Sequence, residues 1–511
     1  MRKLLKVFFS QSFIVILLML VQIGVIVFSL FKLQEHSQLV SAFFMLVTMV
    51  AVILVVNGNK NPAYKMSWII PMMIIPVFGG MLYLFIQGQG LTRRFFQRVK
   101  NIDRVLTSAI PEDRELMEEL RREAPDRYST VNYNCRNESV GYKVFKNTDV
   151  KYYPTGEDCW KDMLIELDKA EKYIFLEYFI IERGVMWDSI LEILKRKAAA
   201  GVDIRVMYDG VGSLVQMPRK YPRELKRYGI KCKAFIPLVP FLSTMQNNRD
   251  HRKIMVIDGK VAFNGGLNLA DEYVNKKEMF GYWKDTAVRL TGDGAYSFAL
   301  MFLQLWQITE HKHAELDKFL PEWSYESVDS GYVMPYADTP NDDYQVGEFV
   351  YMDIINKARS YVHITTPYLI LDHEMMTALV NAARSGIDVK IIIPSVADHW
   401  YAYYVALDYA KELISKGIKV YEYTPGFIHA KNFVSDDEVA VVGSINLDYR
   451  SLYLHFECAT WMYKTAAVVD VEQDFNDTLK ECRMLTEEIL KSRSIWKRIV
   501  SAILRIFAPL M

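Results

Sequence analysis

Three apolar runs open the chain, at residues 8 to 31, 39 to 56 and 66 to 86. The first carries no charge from end to end and is long enough to span a hydrocarbon layer roughly 30 Å thick. Its length exceeds the apolar stretch of a cleavable leader, and further runs follow. The pattern predicts a membrane-embedded region over 1–100. Arg2, Lys3 and Lys6 precede the first run, while Arg93, Arg94, Arg98 and Lys100 follow the third, which draws both flanks to the cytoplasm. Pro71, Pro76, Gly79 and Gly80 mark a run that is kinked, re-entrant or interfacial. The expectation is a multi-pass protein of the cell membrane with its remaining body in the cytoplasm and the number of crossings open.

The pattern then changes. Residues 101–130 are charged and helix-prone and read as a connector. Beyond them, β-rich runs such as YIFLEYFII alternate with amphipathic helical stretches such as MWDSILEILKRKAAAG, the signature of α/β architecture with helices covering sheets. The alternation occurs twice: KAEKYIFLEYFI (169–180) resembles KARSYVHITTPYLI (357–370), and AAAGVDIRVMYD (198–209) resembles AARSGIDVKIIIP (383–394). Two similar α/β halves are predicted, 131–330 and 331–490. In 491–511, Ile495, Trp496, Ile499, Val500, Ile503, Leu504, Ile506 and Phe507 recur at helical spacing, with Lys497, Arg498, Ser501 and Arg505 opposite. That is the pattern of an amphipathic basic helix lying on an anionic membrane.

Composition narrows the partners. The 61 basic and 61 acidic residues cancel, which argues against a nucleic acid, whose phosphates call for a basic excess. Five cysteines without a CxxC pair fit a reducing compartment with neither disulfides nor zinc.

The repeat is sharpest around two short segments, HRKIMVIDGKVAFNGGLN at 251–268 and HAKNFVSDDEVAVVGSIN at 429–446. His251, Lys253, Asp258, Gly265 and Asn268 map onto His429, Lys431, Asp436, Gly443 and Asn446 with a constant shift of 178. Five such coincidences arise by chance on the order of once in a million registers. Each segment reads as a β-hairpin, and in a strand residues two apart share a face, so each His and its Lys point the same way. Asp258 and Asp436 fall at the turns, where bracing the hairpin or anchoring the lysine is the simpler role. Gly265 and Gly266 permit close backbone approach, and Asn268 offers an amide. Two imidazoles and two ammonium groups converging on one spot suit a phosphodiester. The lysines neutralise non-bridging oxygens, one neutral His attacks phosphorus, and the other, protonated, supplies the leaving group's proton. The remaining histidines, HKH at 311–313 and His363, His373, His399 and His455, lack a ligand set of convincing spacing; we expect surface or satisfied core residues, no catalytic metal and no cofactor.

These paired segments resemble the two HKD motifs of the phospholipase D superfamily, and within it the chain resembles bacterial cardiolipin synthases. The carriers are FLEYFI with Glu177 and Tyr178, YDGVGS at 208–213, GGLNLADEYV at 265–274, TPY with Tyr368, and GSINLDYRS at 443–451 with Ser444. The resemblance implies His251 as nucleophile and His429 as general acid/base. It also implies that Asp285 and Glu457 orient the histidines, and that Glu177, Tyr178, Tyr368, Asn268, Asn446, Gly265, Gly266, Gly443 and Ser444 line the substrate site. Two positions depart from the family pattern: His455 stands where relatives often have Asn, and Ala287 where many have His. The implied reaction takes two phosphatidylglycerol molecules to cardiolipin and glycerol, with hydrolysis of membrane phospholipid, or transfer from or to another lipid or alcohol, as alternatives. A homodimer is one assembly open to it. The apolar loop FIPLVPFL (235–242) is expected to dip into the bilayer beside the cleft, and the aromatic stretch DHWYAYY (398–404) to sit at lipid headgroup depth.

Overall fold

In a computed structural model, residues 38–510 are described except 59–60, 75, 88–89, 137–141, 238–243, 311–315 and 341–343; before residue 38 only 24, 28 and 32 are. The first apolar run, HKH and most of FIPLVPFL thus lie outside the described residues. The second and third runs form helices Gln38–Asn57, Pro62–Ile74 and Pro76–Gln87. They pack on one another: a Cβ at Gly80 would meet Thr48, and one at Gly79 would meet Met72. Among the described residues no helix is long and apolar enough to cross a membrane. One face of the first helix still presents Phe43, Met45, Leu46, Met49, Ile53 and Leu54 outward.

The body contains strands β1 (Thr148–Tyr153), β2 (Tyr173–Tyr178), β3 (Asp203–Asp209), β4 (Lys231–Phe235), β5 (Lys253–Ile257), β6 (Val261–Gly265), β7 (Tyr282–Lys284) and β8 (Ala287–Gly292). They are followed by β9 (Tyr332–Asp338), β10 (Tyr361–Thr365), β11 (Asp388–Pro394), β12 (Lys419–Tyr423), β13 (Gly426–Ile428), β14 (Asn432–Ser435), β15 (Val439–Gly443), β16 (Glu457–Tyr463) and β17 (Cys482–Met484). One sheet has the order β1-β8-β6-β5-β2-β3-β4; the other, β17-β12-β11-β10-β14-β15-β16-β9. In both, three parallel strands joined through helices adjoin antiparallel strands that contain the HxK hairpin. The expected pair of α/β halves with mixed sheets is present.

The halves share their core. The helix Ala295–Glu310, buried along nearly its whole length, packs against β2, β4, β5, β6, β8 and β9, while β6 and β8 meet β15 and β16. Phe456, Cys458 and Met462 of the second half thereby join Ile254, Val256 and Val288 of the first. The presumed connector is part of this packing too: Ile102 and Leu106 enter that core, and Met117 and Leu120 enter the second half's. Most of its charges occupy the outward faces of amphipathic helices, which is why it reads as a connector.

Within three-residue loops that join the paired Ile257 to Val261 and Ser435 to Val439, both hairpins turn through two successive residues at positive φ. They are Asp258 (φ 55) with Gly259 (φ 69), and Asp436 (φ 58) with Asp437 (φ 54). A left-handed non-glycine residue costs about 1 kcal/mol or more. The aspartate carboxylates offset this by accepting three backbone N–H bonds each: Asp258 from Glu171, Lys172 and Tyr173, and Asp436 from Arg359, Ser360 and Tyr361, at 2.8–3.1 Å. Each motif aspartate therefore ties its hairpin to the start of the neighbouring parallel strand.

The C-terminal helix Ile495–Ile506 docks in the sense opposite to a core helix. Its polar side meets the protein: Ser501 Oγ donates to the Tyr404 carbonyl (2.7 Å), and Arg505 pairs with Glu412 (2.7 Å). Its apolar side, with Ile495, Ile499, Ile503 and a 73% exposed Trp496, faces outward. The expectation that its basic face meets lipid is corrected at Arg505, which is held by a carboxylate. The following turn, Ala508–Leu510, packs on the helix Pro62–Ile74, so the tail lies beside the N-terminal apolar helices.

Candidate active site

The two HxK segments meet at the junction of the sheets, and each half completes the other. The backbone N–H of His251 donates to the Phe456 carbonyl (2.9 Å), and that of His429 to the Lys284 carbonyl (2.7 Å). The residues after those carbonyls are Glu457 and Asp285. His251 Nδ1 lies 2.8 Å from Glu457 Oε1, and His429 Nδ1 lies 2.6 Å from Asp285 Oδ2. Each imidazole is thus fixed by a carboxylate of the opposite half, which leaves Nε2 as the atom free for chemistry. Lys253 and Lys431 are buried, and each ammonium donates to the carbonyl of its own histidine.

Burial governs the charges. It lowers Lys431 to about 7, opposed by Asp285 and reinforced by Lys253, and lowers Lys253 to about 8, opposed by Glu457. Burial with Lys431 brings His429 to about 4 against the pull of Asp285. His251 falls well below its ordinary value through burial and then Lys253, His455, Lys431 and His429. Glu457 is raised by burial and held back by Lys253 and the Ser444 hydroxyl. With imidazoles held neutral and lysines easily deprotonated, an anion entering the site raises their affinity for protons.

A family model described as "Cardiolipin synthase, PLD-like domain" matches residues 163–292 and 351–479, one copy over each half. The chain belongs to the cardiolipin synthase family of the phospholipase D superfamily. A second model, a phospholipase D–nuclease N-terminal region, covers 46–88. A cardiolipin synthase of Halalkalibacterium halodurans is 31% identical over 93% of this chain and 94% of its own. Cardiolipin synthase 2 of Bacillus cereus is 32% identical over 89% and 88%. An uncharacterised protein of Streptococcus mutans is 46% identical over 90% and 99%. Among solved structures, a phosphatidylserine synthase from Haemophilus influenzae superposes with TM-score 0.55 at 14% identity, over 71% of this chain and 95% of its own, which shows a shared fold. The chain is therefore an enzyme of that superfamily.

Set within this family, the other anticipated residues separate into those beside the imidazoles and those behind them. Tyr178 pairs with Lys253 across β2 and β5, so it shares the face of Lys253 and His251. Glu177 pairs with Ile254 and takes the opposite face, where it lies 4.0 Å from the buried Arg252. The expectation that it lines the substrate site is corrected: strand alternation carries it to the back of the sheet. Asp258 and Asp436 are five residues beyond the lysines, about 17 Å along an extended chain, and serve the turns. Gly265 and Gly443 allow close strand approach, since a Cβ would meet Thr286 O at 2.4 Å or the Ala459 side chain at 2.3 Å. Gly266 makes room for Asp285, whose Oδ1 lies 2.1 Å from where a Cβ would stand. At the matching position in the other half, Ser444 Oγ donates to Glu457. Asn268 spends its amide on Tyr273 Oη (2.7 Å) and the Ile180 N–H (3.0 Å), bracing the Tyr273 ring that flanks His429. Asn446 Oδ1 is buried without a partner among the described residues. Tyr368 Oη donates to Asp398, which also meets His399 Nδ1 (2.8 Å) and accepts from the His399 N–H (2.6 Å). The adjoining Trp400 is 57% exposed.

His455 was misread as a surface or satisfied core residue. Its ring centre lies 5.7 Å from that of His251, its Nδ1 is 3.9 Å from Glu457 Oε1, and its side chain is only 10% exposed. The available signal was its position two residues before Glu457.

Proposed function

We propose that this protein transfers a phosphatidyl group from one phosphatidylglycerol to another, forming cardiolipin and glycerol through a phosphohistidine on His251. The observation that carries this reading is the pair of crossed imidazole–carboxylate contacts, with both lysines buried beside them. His251 Nε2 attacks phosphorus, a P–N bond forms, and the P–O bond to glycerol breaks as His429 delivers a proton to the leaving oxygen. His429 then takes the proton from the hydroxyl of a second phosphatidylglycerol. That oxygen attacks phosphorus, the P–N bond breaks, and both imidazoles return to their starting state. Asp285 opposes the lowering of His429 by burial and Lys431, which suits that ring to hold the proton. Lys253 and Lys431 offset the charge on the non-bridging oxygens.

The assignment of lipid as acceptor rests on apolar surface that the molecule presents outward. The outward apolar rows of helices Gln38–Asn57 and Ile495–Ile506 would seat the body on a bilayer, and the first apolar run would anchor it in the cell membrane with the site on the cytoplasmic side. A mouth facing lipid admits less water. Mass spectrometry of the products from phosphatidylglycerol in mixed micelles, with a chelator present, tests this. Cardiolipin plus glycerol is expected; phosphatidic acid plus glycerol would make the enzyme a hydrolase.

A further inference from the structure

The two-fold relation between the halves places a ring beside each reactive imidazole, always two residues before the orienting carboxylate of the opposite half. Next to His429 that ring is Trp283, with centroids 5.5 Å apart; next to His251 it is His455, at 5.7 Å. Both are buried or nearly so, and among the described residues neither the Trp283 Nε1 nor either His455 nitrogen has a hydrogen-bond partner. Such groups are rarely left orphaned unless a ligand or water meets them.

The surroundings of His455 define the ligand. Arg450, Arg249 and Lys253 act on it electrostatically and, with burial, hold the ring neutral. A neutral imidazole keeps one N–H donor, here in a setting of positive charge. That combination attracts an anionic oxygen. We propose that His455 is a substrate-contacting residue that donates a hydrogen bond to a non-bridging phosphate oxygen on the His251 side, alongside Lys253. This rests on the reading of the centre as a phosphodiester site, but not on whether lipid or water accepts the phosphatidyl group.

The test uses the full-length protein and inorganic phosphate, with affinity read by calorimetry so that turnover is not needed. His455→Leu should weaken phosphate binding about tenfold, the worth of one charge-assisted hydrogen bond. His455→Asn, which retains a donor, should stay within about threefold of the unchanged protein. Unchanged affinity in His455→Leu would overturn the proposal, and so would equal weakening in both variants, which would mean packing alone. Because affinity is read without lipid, hydrolysis in place of transfer would leave this result standing.

Discussion

The two halves share strand order and motif spacing, yet differ behind the hairpin. In the first, Glu177, Arg249, Asp250 and Arg252 are buried with Asp209: Arg249 pairs with Asp209 (2.9 Å), and Arg252 bonds the Gln304 side chain (2.7 Å) and the Met301 carbonyl (3.1 Å). Strand register places Thr365, Phe427, Ile428 and Ala430 at the matching positions of the second half. The second half is thus apolar where the first is ionic, although both present the same His and Lys. Around the hairpin, the face that carries His and Lys is held in common, whereas each half meets its own packing needs behind it. The first half also carries Asp103 against Gln304, raised to about 7 by burial and moderated by Arg252.

Substitutions at matched positions of the two halves separate the shared face from what lies behind it. His251→Ala and His429→Ala should each reduce turnover by at least about 10³-fold while the protein stays folded, since the centre needs both halves. Near-normal turnover in either, measured by product formation, would separate the halves. Glu457→Gln and Asp285→Asn should each lower kcat about 10²- to 10⁴-fold through loss of tautomer control. Ser444→Gly, which gives the second half the first half's residue, should lower it by only about tenfold.

Behind the face, Arg252→Met should lower unfolding free energy by about 3–5 kcal/mol, because Glu177 and Asp250 stay buried without their cation. Thr365→Val, at the matching position of Glu177, should change it by about 1 kcal/mol or less. Denaturant titrations of the two variants decide this.

A smaller, graded effect concerns pH. Lys431 and Lys253 lose protons as pH rises through about 7 and about 8, so the free site loses positive charge and anion affinity falls. Sulfate, which does not titrate in this range, should bind progressively more weakly from pH 6 to pH 9, by at most about tenfold per unit for each proton linked. A flat profile would mean that the lysines keep their charge. The smallest change is at the tail: Ile503→Val, which removes one methylene, should reduce liposome co-sedimentation of a fragment beginning near residue 101 about fourfold, about 0.8 kcal/mol of apolar burial. Unchanged sedimentation would remove the tail from membrane contact.

The hairpins, their Asp turns and the α/β alternation were legible because each is written within about twenty consecutive residues. The crossed contacts were not, because they join His251 to Glu457 and His429 to Asp285 over 206 and 144 residues. Spacing named the histidines and the family resemblance named the acids, but only folding shows which acid serves which ring. Glu177 was misplaced since YIFLEY is apolar on both faces and its alternation does not reveal which side meets substrate. The 101–130 region misled through composition, its outward charges outnumbering the few apolar residues that pack.

The central claim, one shared centre in which His251 bonds to phosphorus and His429 moves the proton, can be met directly. Phosphatidyl-p-nitrophenol carries a leaving group that needs no proton, so His429→Ala should form the first intermediate and then stall. Intact-mass and peptide analysis of that variant should show one phosphatidyl adduct on His251, absent when His251 is also replaced. An adduct elsewhere, or steady turnover without one, would contradict the account.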